Sequence, residues 1–384
     1  MIHFKIFNSC AQLPIEWNVL VDHDIFIQTD YFQALEQASP KNISMNYVGV
    51  YNNNHLVGIA TIQRVELYLK DIFRNETDTF LVANFKNFVS KLLKGNLLVV
   101  GNLTHTGQHG LYFNLNKISQ NEFLNQIYLA IIQLKSEIKK HHKKNIRMIM
   151  IKDFFTEDSI HQDSNLFNEH QIHKVSAQPN MVLEIKKQWL HYDDYVSDLN
   201  KKYRDRYKTA RKKAKHIQKR ELLLEDIKNQ SQELHILYKN VSDNASINTF
   251  ILPENHFYSF KKLLNDHFKV FGYYLDNKLI GFYSLILNNT HLETYFLGYN
   301  SEYQYKNQLY LNMLYDMVSF GIENNHTSIV YARTAMAIKS SVGAKPKNMI
   351  IYMKHTNWIM NTLLKYIFKL MNPKQNWKER HPFK

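Results

Sequence analysis

Arg333, Lys339, Ser340, Ser341, Gly343 and Pro346 crowd into ARTAMAIKSSVGAKP, a segment between two apolar runs, TSIVY and MIIYM. A guanidinium is a planar fork for phosphate or carboxylate, and an ammonium is a point charge; either can also steady an oxyanion. Ser340 and Ser341 offer hydroxyls, and Gly343 permits a tight turn that exposes backbone donors. The expected chemistry is anion or acceptor binding by Arg333, Ser340, Ser341 and Gly343, with Lys339 next to a reacting carbonyl. An ordinary basic loop held by glycine and proline is the alternative.

A second candidate is THLETYFLGYN. Period two puts His291, Glu293, Tyr295 and Leu297 on one strand face and Leu292, Thr294 and Phe296 on the other. A glutamate among apolar strand residues is costly to bury unless paired or protonated, and burial raises a carboxylate's pKa. Such a group can act as a general base toward an attacking amine, with His291 sharing or orienting the proton and Tyr295 lining the site. A Glu293 turned to solvent or paired with lysine is the alternative. A covalent nucleophile is not evident: neither GxSxG nor an HxxxD element occurs, and the sole cysteine is Cys10.

The third feature is charge. In YVSDLNKKYRDRYKTARKKAKHI the residues Val196, Leu199, Tyr203, Tyr207, Ala210, Ala214 and Ile217 follow helical spacing and predict one continuous helix with a buried stripe. Lys and Arg fill the other faces: residues 201–220 hold eleven of them against one Asp. Like charges on one helix repel, so an anionic partner is expected, with a solvated face as the alternative. An anionic membrane surface is the first choice of partner, tRNA the second, and DNA is not expected. Tyr203, Arg204 and Arg206 lie near the stripe and are candidates for binding substrate.

These residues need elements to hold them. NYVGVYNNNHLVGIATIQRVEL predicts a hairpin, FKNFVSKLLK and NEFLNQIYLAIIQLKSEIKKHHKK predict helices, and NLLVVG and IRMIMIKDFF predict buried strands. MVLEI, after Pro179, starts a new segment. Further on, a strand-like ELLLEDI precedes helices SQELHILYKNVSDNA and HFYSFKKLLNDHF. KVFGYYLDNKLIGFYSLILNNTHLETYFLGYN then predicts three antiparallel strands with turns at LDNK and LNNT. The helix YLNMLYDMVSFGIENN leads into TSIVYA. The halves share an apolar hairpin, YNNNHLVGI and YLDNKLIGF, which predicts two copies of one α/β unit.

The order meander, helix, strand, loop resembles the GNAT acyltransferase fold. YVSDLNKKYRDRYKTARKKAKH, YYLDNKLIGFYSLI, FLGYNSEYQYKNQLYLNMLYDM and AIKSSVGAKP resemble the FemAB-type and BioF-like acetyltransferase branch, including ceramide-synthase-like bacterial N-acyltransferases. The resemblance covers residues 180–355, and the first half only in hairpin and helix order. It implies an α/β (α+β) chain of tandem GNAT-like units, each a mixed, largely antiparallel sheet flanked by helices. The implied domains are 1–180, a catalytic 181–356 that begins with the basic helix, and 357–384, an amphipathic helix with a basic tail. It further implies N-acyl transfer from a thioester to an amine, such as a long-chain amino-lipid base, with no metal and no resident cofactor. Acyl-CoA is the implied co-substrate, its pyrophosphate seated at a helix N-terminus over a glycine-rich loop. No glycine lies between Gly298 and Gly321, which favours an acyl-carrier protein as the alternative donor. The other readings are a FemAB-like aminoacyl-tRNA-dependent transferase acting on a peptidoglycan precursor, and a non-catalytic tandem-GNAT binding protein.

Composition sets the outer bounds. The 384 residues are 45% hydrophobic and 13% aromatic, enough for packed cores in about two to three domains. One cysteine excludes an intrachain disulfide framework and a cysteine-rich metal site. MIHFKIFNSCAQLPIEW has neither a basic n-region nor a long apolar h-region, so no secretory signal is expected, and no membrane-spanning helix is expected either. Cytoplasmic localisation is expected, peripheral at the inner membrane face. TNWIMNTLLKYIFKLMNPKQNWKERHPFK, with Trp358, Ile359, Leu363 and Leu364, suits an interfacial helix, or one packed on the last domain. The net charge of +14 points the same way.

Overall fold

The computed structural model describes residues 1–67, 95–162, 165–245, 248–371 and 377–384; the helix expected over FKNFVSKLLK lies outside them. The chain forms two compact units. One comprises Met1–Gln178, Ala245–Ile251 and Asn348–Lys374, the other Pro179–Asn244, Leu252–Lys347 and Gln375–Lys384. The expected division at 180/181 differs from this in two later segments that return to the first unit. For 348–355 the reason is strand pairing: Met349 lies opposite Phe155 and His355 opposite Met148.

The first unit builds on β1 (Ile2–Phe7), β2 (Ile43–Asn52), β3 (His55–Leu67), β4 (Gly95–Val100), β5 (Leu111–Phe113) and β6 (Ile146–Phe155). They run β1-β2-β3-β4-β6 with β5 on β3, and the strand Lys345–His355 follows β6. Asn53 and Asn54 close the β2–β3 hairpin with φ of 47° and 69°, a left-handed turn that asparagine tolerates. Helix α1 (Thr29–Gln37) precedes β2, and α2 (Gln120–His142) links the parallel pair β4 and β6. Ser119 and Glu122 form a capping box that starts α2. Phe123, Leu124, Ile127, Ala130, Ile131, Leu134 and Ile138 then bury one helical stripe in this unit's core.

The second unit is ordered β7-β12-β11-β10-β9-β8: β7 (His173–Glu184), β8 (Gln218–Glu221), β9 (Phe268–Leu275), β10 (Lys278–Asn288), β11 (His291–Tyr299) and β12 (Ser328–Val330). The second unit begins at Pro179, and residues 181–184 of MVLEI form the end of β7. The expected meander is β9–β10–β11, with Asp276, Asn277 and Asn289 at φ of 49°, 63° and 52° in its turns. β11 and β12 are parallel, joined through α7 (Ser301–Asn307) and α8 (Leu309–Glu323). The preceding helices are α3 (Tyr192–Asp198), α4 (Lys201–Lys213), α5 (Ser231–Asp243) and α6 (His256–Leu264); α9 (Met336–Ser340) and α10 (Trp358–Met371) come later, α10 in the first unit.

Two expectations fail locally. The basic segment is two helices, not one. Leu199 and Asn200 are extended, and the Asn200 side chain caps α4 by accepting from Tyr203 N. This break also receives the segment 377–384: Asn200 N donates to Pro382 O at 2.8 Å, and Leu199 bridges Phe383. ELLLEDI is not one strand either. β8 stops at Glu221, and Leu224–Asn229 is helical, with Asp226 accepting from the Leu223 amide.

Candidate functional site

In the second unit the pairing of β11 with β12 is short. It runs from His291↔Ser328 to Glu293↔Val330 and stops. β12 then stays with β7, because Tyr331 N donates to Met181 O and Met181 N to Ala332 O. β11 departs through a bulge: Tyr283 faces Leu297 while Leu285 faces Thr294, so β11 carries one residue more than β10 there. Ser284 Oγ secures it by donating to Phe296 O at 2.6 Å.

The bulge corrects the strict alternation expected from the sequence. Residues opposite each other in an antiparallel pair share a face, so Leu297 lies with Thr294 and joins the core around Tyr283 and Leu285. Phe296 instead packs beside Tyr295 against α5 and α6, edge-on to Tyr238 and to His256. His291 and Glu293 precede the bulge and keep the common face. His291 is exposed, its Nδ1 2.8 Å from Ser328 Oγ. Glu293 is only 4% exposed and sits at the last rung before the strands separate. Tyr295 OH lies 3.1 Å from His256 Nε2, and His256 is fully buried and stacked on Phe260 at 4.3 Å. Sequence reading overlooked His256. A histidine inside an amphipathic helix gives no signal until the partner strand is placed.

The other predicted cluster follows β12. Ala332, Thr334 and Ala335 have φ of 56°, 67° and 46°, a left-handed run costly for residues with a Cβ. Lys339 holds that run. Its buried Nζ donates to the carbonyls of Tyr331, Ala332 and Arg333 at 2.5, 3.2 and 2.6 Å. All three ammonium protons are thus committed within the turn, which makes Lys339 a clamp on Arg333. Ser340 and Ser341 are buried, and their hydroxyls donate to Ala337 O and Ile338 O. Ser340 Oγ also accepts from Arg380 N at 3.2 Å. Gly343 has φ of 103°, and Phe383 covers it. The structure therefore brings Glu293, Arg333 and Lys339 to one end of β12, and places Ser340 and Gly343 under the segment 377–384, while Ser341 is buried on the Ile338 carbonyl of α9.

Burial pushes Lys339 down from 10.5 to about 7. The folded chain thus holds this proton less tightly than the unfolded chain, and the stability contributed by Lys339 rises as pH climbs from about 7 toward 10.5. Urea denaturation at several pH values is expected to show the gap between wild type and Lys339→Met widening over that range, by at most about 1.4 kcal/mol per pH unit. At Gly343 an added Cβ would lie 2.4 Å from Phe383 Cζ, in a backbone conformation that L-residues avoid. Gly343→Ala is expected to cost about 1–3 kcal/mol in thermal denaturation, with faster tryptic cleavage at Lys378 and Arg380 as Phe383 is displaced.

Beneath β9 and β10 the inner side of α4 meets α8. Arg211 Nη1 lies 2.8 Å from Asp316 Oδ1, and Tyr273 OH donates to the same carboxylate. Rings of Tyr207 and Tyr315 lie 5.4 and 5.7 Å from the guanidinium. Burial works against the Arg211 charge, but Asp316 together with Tyr192 and Tyr207 holds Arg211 above its ordinary pKa. Tyr203 is buried in the core as its spacing implied. Arg204 turns back to the carbonyls of Ser197 and Leu199, at 3.2 and 2.7 Å, and closes the end of α3. Arg206 is half-buried beside Tyr203 and Tyr315.

No family model and no curated protein matches the chain. Solved structures do. FemX superposes with a TM-score of 0.56 at 11% identity, covering 94% of this chain and 100% of that one. A tandem GNAT protein from the clavulanic acid biosynthesis pathway gives 0.52 at 9% identity, covering 93% and 99%. The C-terminal domain of a putative lysylphosphatidylglycerol synthetase from Agrobacterium fabrum gives 0.50 at 8% identity, covering 97% and 100%. At such identities the likeness is one of architecture: the chain has a tandem GNAT-like fold of the FemAB type.

Proposed function

We propose that this chain is an N-acyltransferase that moves an acyl group from a thioester to an amine where β11 and β12 separate. The observation that carries the reading is Glu293, buried on the last rung before the separation, three residues along the paired strand from the clamped Arg333. The amine nitrogen attacks the thioester carbonyl and Glu293 takes the proton it loses; the C–N bond forms, the C–S bond breaks, and the thiolate recovers the proton. His291, on the same face, and the His256–Tyr295 pair orient the acceptor and the carboxylate. Arg333, set by Lys339, binds an anionic group of the acceptor. The donor is an acyl-CoA or an acyl-carrier protein.

The acceptor class is a long-chain amino-lipid base, and the protein works peripherally at the cytoplasmic membrane face. Two observations support this. Along α10, Trp358, Ile359, Leu363 and Tyr366 are 75%, 50%, 42% and 68% exposed on one helical stripe, an arrangement suited to a lipid interface. The fold is also shared with a putative lysylphosphatidylglycerol synthetase domain. Among the described residues no helix is long and apolar enough to cross a membrane. The fold of FemX supports a second reading, an aminoacyl-tRNA-dependent transfer onto a peptidoglycan precursor.

Purified protein incubated in parallel with labelled acyl-CoA, acyl-carrier protein thioester and charged tRNA, each with long-chain amine and muropeptide acceptors, tests this. An N-acylated amine formed from a thioester supports the first reading. Product from tRNA alone moves the assignment to the second. No product from any donor leaves a non-catalytic binding protein.

A further inference from the structure

Arg206 and Arg380 are a second, separate feature of the second unit. Arg206 sits on the inner side of α4, and Arg380 belongs to the segment that docks at the N-terminus of α4. Asn200 Nδ2 donates to His381 O at 3.2 Å, and Lys384 N donates to Asp198 O at 3.1 Å. Arg380 N is held by Ser340 Oγ. The docked segment therefore carries the Arg380 charge within electrostatic reach of Arg206. Neither makes an ion pair or side-chain hydrogen bond among the described residues, in contrast to Arg204 and Arg211 on the same helix. Burial first, and the Arg380 charge second, hold Arg206 below its ordinary pKa.

A second observation is independent of these charges. The Tyr315 hydroxyl is buried with no hydrogen-bond partner, and its side chain is 0% exposed. Its ring lies 5.1 Å from that of Tyr207, on the α4 side of α8. Arg206 is the charge that acts most strongly on this hydroxyl. Buried hydroxyls are normally satisfied, and like charges are normally kept apart, so this arrangement is incomplete as it stands.

We propose that Arg206 and Arg380, together with the Tyr315 hydroxyl, bind one phosphate group. Two guanidinium forks and a hydroxyl donor suit the tetrahedrally arranged oxygens of a phosphate better than a planar carboxylate, which a single fork already satisfies. What bears the phosphate rests on the acyltransfer reading above: the phosphopantetheine arm of the donor, or the head group of a lipid acceptor. Lys208, two residues further on and exposed, belongs to the solvated face and not to the site.

Calorimetric titration of the full chain with inorganic phosphate tests the site. Arg206→Gln is expected to weaken binding about 10-fold or more, Arg380→Gln comparably and Tyr315→Phe less, whereas Lys208→Gln leaves it unchanged. None of the substituted groups holds another side chain, so melting temperatures serve as the folding control. Phosphate displaced by 4′-phosphopantetheine but not by pantetheine assigns the site to the donor. Phosphate displaced by phosphatidylglycerol vesicles, with phosphopantetheine inert, assigns it to a lipid; either supports the site. No phosphate binding by the wild type, or equal weakening by Lys208→Gln, overturns it. Phosphate binding intact in a protein that transfers no acyl group would count against the acyltransfer reading alone.

Discussion

Glu293→Gln is expected to lower acyl transfer by about 10²- to 10⁴-fold, the usual contribution of a positioned general base. Glutamine keeps the shape and the hydrogen-bonding reach of the side chain but cannot take up the proton. The loss should appear in kcat, with little change in KM for the donor, because the carboxylate acts on the attacking amine and not on the thioester arm. Higher pH should recover part of the rate, since more of the amine then arrives already neutral. Steady-state assays of folded variant over a pH series check this. A variant retaining more than half of the wild-type rate at neutral pH would remove Glu293 from the chemistry, whatever the overall reaction proves to be.

The largest effect on stability is expected at Asp316. Its carboxylate is the common partner of Arg211 and Tyr273 under the central strands, with side-chain exposures of 11% for Asp316 and 30% for Arg211. Asp316→Leu leaves the guanidinium without its counter-charge and the Tyr273 hydroxyl without its acceptor. Breaking a buried pair from one side costs about 3–5 kcal/mol, and the partial exposure of Arg211 places the expected loss near the lower figure. Chemical denaturation of the single variants and of Arg211→Met/Asp316→Leu measures it. The double variant should recover much of the loss, because no uncompensated charge remains. An Asp316→Leu protein as stable as wild type would mean that water, not Arg211, satisfies the carboxylate in solution.

Much of the second unit could be read from residue order. Paired Asp and Asn residues at the turns mark the meander, and the helical spacing of Tyr203, Tyr207 and Ala210 marks the buried side of the basic segment. The break at Leu199–Asn200 was not read, because helical periodicity continues across it; the Asn200 cap, the Arg204 bonds to the end of α3 and the docking of 377–384 together reward the extended conformation. The bulge in β11 was equally hidden. Alternation is a local pattern, and whether a strand carries one residue too many depends on the strand beside it. Lys339 shows the limit most clearly. Its type suggested a charge aimed at a substrate, but three carbonyls brought round by a left-handed turn take all its protons.

By itself, then, residue order determined the architecture of strands and helices and the chemical types gathered near the ends of β11 and β12, because periodicity and turn preference act over a few neighbouring residues. Only tertiary structure decided which of those groups are committed to the fold and which are left to act. Arg204, Ser340, Ser341 and Lys339 satisfy backbone, while Arg206 and the Tyr315 hydroxyl do not find partners among the described residues. The physical reason is that a polar group's role follows from what lies within hydrogen-bonding distance: the carbonyls that Arg204, Lys339, Ser340 and Ser341 reach lie within 8 residues of them, but a helix end and a left-handed turn held by the packed fold bring those carbonyls round.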